Sequence, residues 1–127
     1  MVRPMLAAIV LTALIALVGA VPAQAAPVGK VDAGVPFSSV VYGTGCLYVL
    51  TVTVNSTGPV TFWEQAPGFA ARAIGSAWAD GGIGTVRWTP RRIGNRILYA
   101  TQGGVTGPKV TVPVRQGYGS GPLCFAL

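Results

Sequence analysis

The stretch that decides the fold is Gly84–Gln102, which reads GTVRWTPRRIGNRILYATQ. It contains two runs in which apolar and polar side chains alternate, Gly84–Thr89 and Arg96–Gln102. An alternation with a period of two, rich in β-branched and aromatic residues, predicts β-strands that each bury one face. Pro90 and Gly94 break the pattern between the runs and predict a turn. We therefore expect an organising hairpin that the other segments of the chain cover.

The flanking sequence repeats this pattern, with turn-forming residues at intervals of roughly 8–12 residues. Phe69–Ala79 is rich in alanine, which would suit a short helix, but Gly75 and the neighbouring strands favour one or two short strands. The other strands are predicted at Pro36–Tyr42, Cys46–Val54, Val60–Glu64 and Lys109–Val114. About seven short strands without an amphipathic helix are typical of an all-β sandwich, and a closed barrel is the alternative architecture.

The start of the chain is expected to be a separate segment. Arg3 gives a weakly positive start, Met5–Ala20 is almost wholly apolar, and Ala23–Ala25 has the small-x-small pattern of a cleavage site. A glycine and a proline interrupt the apolar run after about 16 residues, short of the roughly 20 that a spanning helix needs. We predict a cleavable signal peptide at 1–25, with an uncleaved anchor as the alternative. The single domain at 26–127 is then secreted or associated with the cell envelope, without a transmembrane span.

The charge balance of the chain is basic. Its 127 residues carry nine Lys and Arg, three Asp and Glu and no His, a formal net charge of +6. Without Arg3, eight basic side chains face three acidic ones, a net charge of +5. A basic surface that is poor in carboxylates favours polyanions such as cell-wall polymers, acidic glycans or nucleic acid. The alternative is that this charge serves solubility.

The two cysteines are expected to form one disulfide, Cys46–Cys124, because the chain is predicted to be exported. A metal-binding pair would lack any histidine or further cysteine to complete it, and free thiols are disfavoured in an oxidising compartment. The closed loop is long, so the chain-entropy model assigns the disulfide on the order of 4 kcal/mol as an upper value.

Catalytic arrangements are hard to build from this composition. Without histidine there is no Ser-His or Cys-His pair and no imidazole ligand for a metal. Glu64 and Asp80 are the two carboxylates that could pair as in a glycosidase, but each stands at a strand end or turn, where such residues are ordinary. The sequence also lacks a calcium loop and a phosphate-binding glycine loop. We therefore predict no enzyme, no metal and no cofactor.

Strand parity predicts a first candidate binding surface. Trp63, Ile97, Tyr99 and Lys109 share the outer face of one predicted sheet. Aromatic rings beside a cation suit stacking on a sugar or packing against another protein. The alternative is that Phe69–Ala79 or the C-terminal tail covers these side chains and makes them part of the core.

A second candidate is a basic cluster at one end of the organising hairpin. It contains Arg87, Arg91, Arg92 and Arg96. Guanidinium groups suit the phosphate or carboxylate groups of an anionic wall polymer. The alternative is a solvated turn, since charged clusters in turns are common. Nucleic acid fits by charge alone, but the sequence has no recognisable reading module, so we expect no specific nucleic-acid partner.

Five stretches of the chain share an ordered set of motifs: LTVTV at 50–54, GPVTFW at 58–63, GTVRWTP at 84–90, LYATQ at 98–102 and VTVPV at 110–114. Together they resemble the bacterial Ig-like repeat family, which carries VTF-aromatic, T-W-T-P…G and L-x-A motifs in this order and spacing. The likeness spans roughly Val35–Val114. Two features depart from the family: it usually occurs in tandem repeats, and the cysteine pair lies outside the shared pattern.

The resemblance implies an immunoglobulin-like β-sandwich with a structural or adhesive role and no catalytic residues. We therefore predict a non-catalytic secreted Ig-like module with a binding or structural role at the cell envelope or outside the cell. Its partner would be an anionic cell-wall polymer, a glycan or another protein. The alternative is a secreted protein-binding partner or inhibitor that presents a loop from a rigid scaffold.

Overall fold

The computed structural model describes residues 26–34, 41–121 and 123–127, and these residues form an all-β fold. Within these ranges no helix has the length and the apolar character to cross a bilayer. The predicted signal peptide at 1–25 and most of the edge strand predicted at Pro36–Tyr42 lie outside the described residues.

Ten strands follow one another in the described part of the chain. They are β1 (Tyr42–Gly43), β2 (Tyr48–Thr53), β3 (Gly58–Gln65), β4 (Arg72–Ala79), β5 (Ile83–Trp88), β6 (Gly94–Gln102), β7 (Val105–Thr106), β8 (Val110–Arg115), β9 (Gly117–Ser120) and β10 (Leu123–Ala126). The alanine-rich stretch forms one strand, β4, and no helix. Gly81 and Gly82 both have a positive φ, which suits the tight two-residue turn between β4 and β5.

The strands form one six-stranded sheet and two two-stranded sheets. The six-stranded sheet and the sheet of β2 and β5, called the two layers below, share one hydrophobic core. The larger sheet has the order β1-β8-β6-β3-β4, and β7 pairs with β6. In this sheet β1 runs parallel to β8, whereas the other neighbours are antiparallel. The smaller sheet consists of β2 and β5, and the arm at 26–34 extends it through bridges from Pro27 to Val54 and from Asp32 to Thr51. Strands β9 and β10 form a separate hairpin at the end of the chain.

The prediction of an organising hairpin is wrong, because β5 and β6 lie in different layers. β5 pairs with β2, whereas β6 pairs with β3, β7 and β8. The connection between them, 89–93, crosses from one layer to the other. Pro90 in this connection is fully buried, and its carbonyl accepts a hydrogen bond from the Gly45 N–H. Alternation predicts which face of a strand is buried, but two strands that bury their faces in one core can belong to opposite sheets.

One hydrophobic core lies between the two layers. Its largest fully buried side chains include Phe62, Leu50 and Leu98. Each buried side chain of this kind contributes about 1.5–3 kcal/mol through removal of apolar surface from water. Gly84 lets the layers approach closely, because a Cβ at that position would lie 3.4 Å from Val60 of the opposite sheet. The prediction that these strands each bury one face is confirmed, since Phe62, Trp88, Leu98 and Ala100 are buried in this core.

Three aromatic side chains close one side of this core. Tyr42 and Tyr48 pack edge to face with ring centroids 4.9 Å apart, and Trp88 lies 5.9 and 5.8 Å from them. The Tyr42 hydroxyl donates a hydrogen bond to the Gly34 carbonyl at 2.8 Å. The Tyr48 hydroxyl oxygen accepts one from the Gly43 N–H at 2.7 Å. Tyr42 is buried and Tyr48 is half-buried, and the hydroxyl group of each has a hydrogen-bond partner.

The predicted Cys46–Cys124 disulfide is present. It joins two Cα atoms 5.3 Å apart across a sequence separation of 78 residues. Cys124 lies in β10, so the bond holds the C-terminal hairpin against the segment between β1 and β2. A loop of this length corresponds to about 4 kcal/mol in the chain-entropy model.

We expect Tyr42→Phe to reduce the loss of stability at high pH. Burial, followed by the nearby charges of Asp32 and Tyr48, raises the pKa of Tyr42 above its ordinary value. Stability that depends on the protonated phenol is therefore complete below about pH 10 and falls as the pH rises through the folded-state pKa. Urea unfolding between about pH 9 and 12 measures how steeply the free energy of unfolding falls with pH.

The exposed Tyr118 provides the matched control, because Tyr118→Phe removes a hydroxyl without changing the core. We expect Tyr118→Phe to keep the wild-type slope and Tyr42→Phe to flatten it. Identical slopes for wild type and Tyr42→Phe would show that the Tyr42 phenol does not cause the loss of stability at high pH.

Candidate functional site

One end of the two-layer core opens into a cleft that is rich in arginine. Strands β3 and β5 end here, whereas β4 and β6 begin here. Two cavities of about 400 and 270 Å³ lie at this end, and we name them the first and the second lobe of the arginine cleft. Arg92 and Arg96 line the first lobe, Arg87 and Trp88 line the second, and Glu64, Arg72 and Arg91 line both.

Glu64 lies at the centre of this cleft. It follows Val60 and Phe62 on the inward face of β3, so its carboxylate points towards the opposite sheet, and its side chain is only 15% exposed. Its Oε2 atom accepts a hydrogen bond of 2.9 Å from Nε1 of Trp88, which belongs to β5. The buried indole N–H and the carboxylate thus satisfy each other across the two layers.

A bulge in β4 brings Arg72 opposite Glu64. The register of β4 against β3 shifts between Phe62 and Trp63, which leaves Ile74 as the extra residue. After the shift Arg72 is the direct partner of Glu64, and its Nη2 lies 3.4 Å from Glu64 Oε1. The Arg72 side chain is 70% exposed, so this ion pair contributes at most about 1 kcal/mol to stability. Its main consequence is to hold a guanidinium group at the cleft.

The four arginines of the predicted basic cluster all line the cleft. Arg96 is tied to the preceding loop, since its Nη2 donates to the Arg92 carbonyl at 3.1 Å. Its Nη1 donates to the carbonyl of Asn95 in β6 at 2.9 Å. Arg87, Arg91 and Arg92 are exposed. Among residues 26–34, 41–121 and 123–127 the single salt bridge is the one between Arg72 and Glu64. These three arginines therefore have no carboxylate partner in that part of the chain.

The other predicted surface lies on the outer face of the larger sheet. Trp63 is the cross-strand partner of Tyr99, and their rings stack with centroids 6.4 Å apart and planes 14° from parallel. Lys109 Nζ lies 5.1 Å from the Tyr99 ring centroid, and Trp63 Nε1 donates to Thr101 Oγ1 at 2.9 Å. Trp63, Ile97 and Tyr99 are half-buried. The role of this cluster in binding stays a prediction.

The sequence analysis considered Glu64 only as a possible partner of Asp80 and did not single out Arg72, so it placed neither charged residue in the cleft. For Glu64 a signal was present, because it continues the inward parity of Val60 and Phe62 and is the one charged residue on that face of β3. For Arg72 no local signal existed, because the bulge that sets its register depends on how β4 pairs with β3.

The described residues contain no cluster of the side chains that most often bind metal ions. The chain has no histidine, and both cysteines are joined in the disulfide. Within the described ranges no three side chains of His, Cys, Asp or Glu come together as a metal-binding group.

The fold is similar to that of a known enzyme. Among solved structures, the chain is similar to a superoxide reductase (neelaredoxin) from Ignicoccus hospitalis, with a TM-score of 0.50 and 10% sequence identity over 72% of this chain and 82% of that chain. At this identity the likeness shows the fold alone. No family model matches the chain, and no curated protein matches it.

This likeness corrects the functional prediction. The prediction of a non-catalytic secreted Ig-like module with a binding or structural role is wrong, and so is its alternative of a secreted partner or inhibitor. Both relied on the role that the Ig-like resemblance implies, whereas the solved structure that the fold is similar to is a superoxide reductase. A scaffold does not determine function, because function depends on the side chains grafted onto it. The separate prediction that this chain is not an enzyme stays a prediction.

We expect Glu64→Ala to lower the free energy of unfolding by about 1–3 kcal/mol, because it leaves the buried Trp88 N–H without its acceptor. Glu64→Gln keeps a side-chain oxygen that can accept this hydrogen bond, so we expect a smaller loss. Urea unfolding followed by tryptophan fluorescence measures both values.

Asp80→Ala is the matched control, since it removes an exposed carboxylate from the turn at the other end of β4 and changes the net charge equally. Its free energy of unfolding should stay close to that of the wild type. If Glu64→Ala were as stable as Asp80→Ala, the bond from Trp88 would not matter to the core.

Proposed function

We propose that the chain binds anionic ligands in the arginine cleft. The observation that carries this proposal is that five arginines surround one carboxylate, Glu64. They are Arg72, Arg87, Arg91, Arg92 and Arg96. A guanidinium group offers planar, forked donors that match the oxygens of phosphate, sulfate and carboxylate groups, and charge-assisted hydrogen bonds of this kind are roughly twice as strong as neutral ones.

The electrostatics of the cleft support an anion as the ligand. Five guanidinium groups and one carboxylate, Glu64, line the cleft, so positive charge is in excess there. Like charges that share a small concave space repel one another, and an entering anion relieves that repulsion. A concave surface with a low-dielectric wall also focuses the positive potential and raises the local concentration of anions.

We propose that the natural ligand is an anionic polymer, such as a cell-wall polymer or an acidic glycan, and that the chain meets it outside the cytoplasm. Two observations support this location. The sequence at 1–25 has the pattern of a signal peptide. The Cys46–Cys124 disulfide is of the kind that persists in oxidising compartments.

We also propose that the fold is an Ig-like sandwich related to the bacterial Ig-like repeat family. An Ig-type sandwich places strands C′, C, F and G in one sheet and A, B and E in the other. The order β4-β3-β6-β8 in the larger sheet fits the first set. The arm at 26–34 with β2 and β5 fits the second. The ordered motifs between Leu50 and Val114 support the relation.

Superoxide reduction is not part of this proposal. Reducing superoxide transfers one electron and requires a redox centre, and the described residues do not fit a metal-centred one, since they lack histidine and free cysteine. The likeness to a superoxide reductase therefore concerns the fold and not the reaction.

We expect the double variant Arg91→Ser, Arg92→Ser to bind a heparin oligosaccharide and inorganic polyphosphate about tenfold more weakly than the wild type, because it removes two exposed cations of the cleft. The dependence of the affinity on salt concentration should also become less steep, since fewer counterions are released on binding. Isothermal titration calorimetry at two or more salt concentrations measures both effects.

The control is the double variant Lys30→Ser, Arg115→Ser, which removes two exposed cations outside the cleft and gives the same net charge. We expect it to bind within about twofold of the wild type at moderate salt, where distant charges are screened. An equal loss of affinity in both double variants would refute a localised site, because it would show that only the overall charge matters.

We expect Glu64→Gln to raise the affinity of the cleft for anions. Glu64→Gln removes the one negative charge that lines both lobes. A repulsion of about 1 kcal/mol between two charges roughly 4–5 Å apart near water corresponds to a severalfold gain in affinity for each anion. Asp80→Asn is the matched change away from the cleft, and we expect no comparable gain from it. A loss of affinity in Glu64→Gln would count against anion binding here.

A further inference from the structure

We infer that the arginine cleft takes a linear polyanion that places one anionic group in each of the two lobes. This inference rests on the proposed function and goes beyond it, because it specifies how many groups the ligand carries to the cleft and how they are arranged.

The two lobes adjoin along the Arg72–Glu64 ion pair. Both residues line both lobes, as does Arg91, so the pair lies where the lobes meet. Each lobe also has cations of its own, Arg92 and Arg96 in the first and Arg87 in the second. The volumes of about 400 and 270 Å³ each exceed many times the roughly 30 Å³ of one water molecule. Each lobe can therefore hold an anionic group of its own.

The carboxylate at the junction decides how these groups are arranged. Glu64 is held in place by Trp88 from the opposite sheet, so its negative charge stays between the lobes. A single anionic group at the junction would lie next to that charge and be repelled by it. Two groups, one on each side, avoid Glu64 and still contact Arg72 and Arg91. This distribution favours a ligand with repeated, spaced charges over a compact anion.

Such a ligand binds with an advantage that one group lacks. Once one group occupies a lobe, the other lobe is filled by a tethered group at a high effective concentration. The affinity should therefore rise with chain length more steeply than the number of charged groups alone requires. Phosphate and carboxylate polymers share this chemistry, because both present oxygens that arginine can bind in a forked geometry.

The experiment compares ligands of increasing length against single-lobe variants. Orthophosphate, pyrophosphate, tripolyphosphate and long-chain polyphosphate are titrated by calorimetry into the wild type, Arg87→Ser, Arg92→Ser and the control Arg115→Ser. A second series uses galacturonate, its short oligomers and polygalacturonate, which distinguishes carboxylate from phosphate. Circular dichroism and urea unfolding verify that each variant is folded.

We expect the wild type and Arg115→Ser to bind the longer phosphates more than tenfold more tightly than orthophosphate. Arg87→Ser and Arg92→Ser should each remove most of this gain, because each weakens one of the two lobes. The same behaviour in the galacturonate series also supports bridging and assigns carboxylate chemistry to the ligand.

Two results would overturn the inference while leaving the proposed function intact. One is binding of short and long anions with equal affinity per anionic group. The other is a gain with chain length that is as large in Arg87→Ser as in Arg115→Ser. If neither series binds the wild type, the proposed function itself fails together with the inference.

Discussion

The hydrogen bond from Trp88 to Glu64 is the constraint on which both the core and the cleft depend. Trp88 is 2% exposed, and an indole N–H buried without an acceptor costs on the order of 1–3 kcal/mol. Glu64 can provide the acceptor because it stands at the rim of the core, where its carboxylate keeps contact with water and with Arg72. The bond therefore links the two sheets at the place where the charges collect.

The arginines collect at this end because the chain crosses between the layers here. Pro90 is buried within the crossing, whereas Arg91 and Arg92, which follow it, are exposed at this end of the core. Arg96 ties the start of β6 to the crossing, because its guanidinium group donates to the Arg92 carbonyl. Exposed like charges cost little when salt screens them, so the fold tolerates this cluster. The same cluster then favours an anion that displaces water and salt from the cleft.

The fold of this protein does not by itself determine the chemistry of its cleft. A fold similar to that of a superoxide reductase occurs here with 10% identity and with neither histidine nor a free cysteine. The sheets position the strand ends, and the side chains grafted onto those ends determine the chemistry. In this chain the strand ends carry guanidinium groups around one anchored carboxylate, an arrangement that suits recognition of oxygen anions.

The sequence by itself determined where the central strands lie and which of their faces are buried, because the alternation of side chains along a strand is a local property. It also identified the disulfide and four of the five arginines of the cleft. The sheet to which β5 and β6 belong, the bulge that sets Arg72 opposite Glu64, and the contact of Glu64 with Trp88 were decided only in the tertiary structure. Each of these depends on pairing between segments distant in the chain, and strands with the same alternation can pair in more than one way. The local pattern therefore determines which faces of the strands are buried, and long-range pairing determines which side chains meet in the cleft.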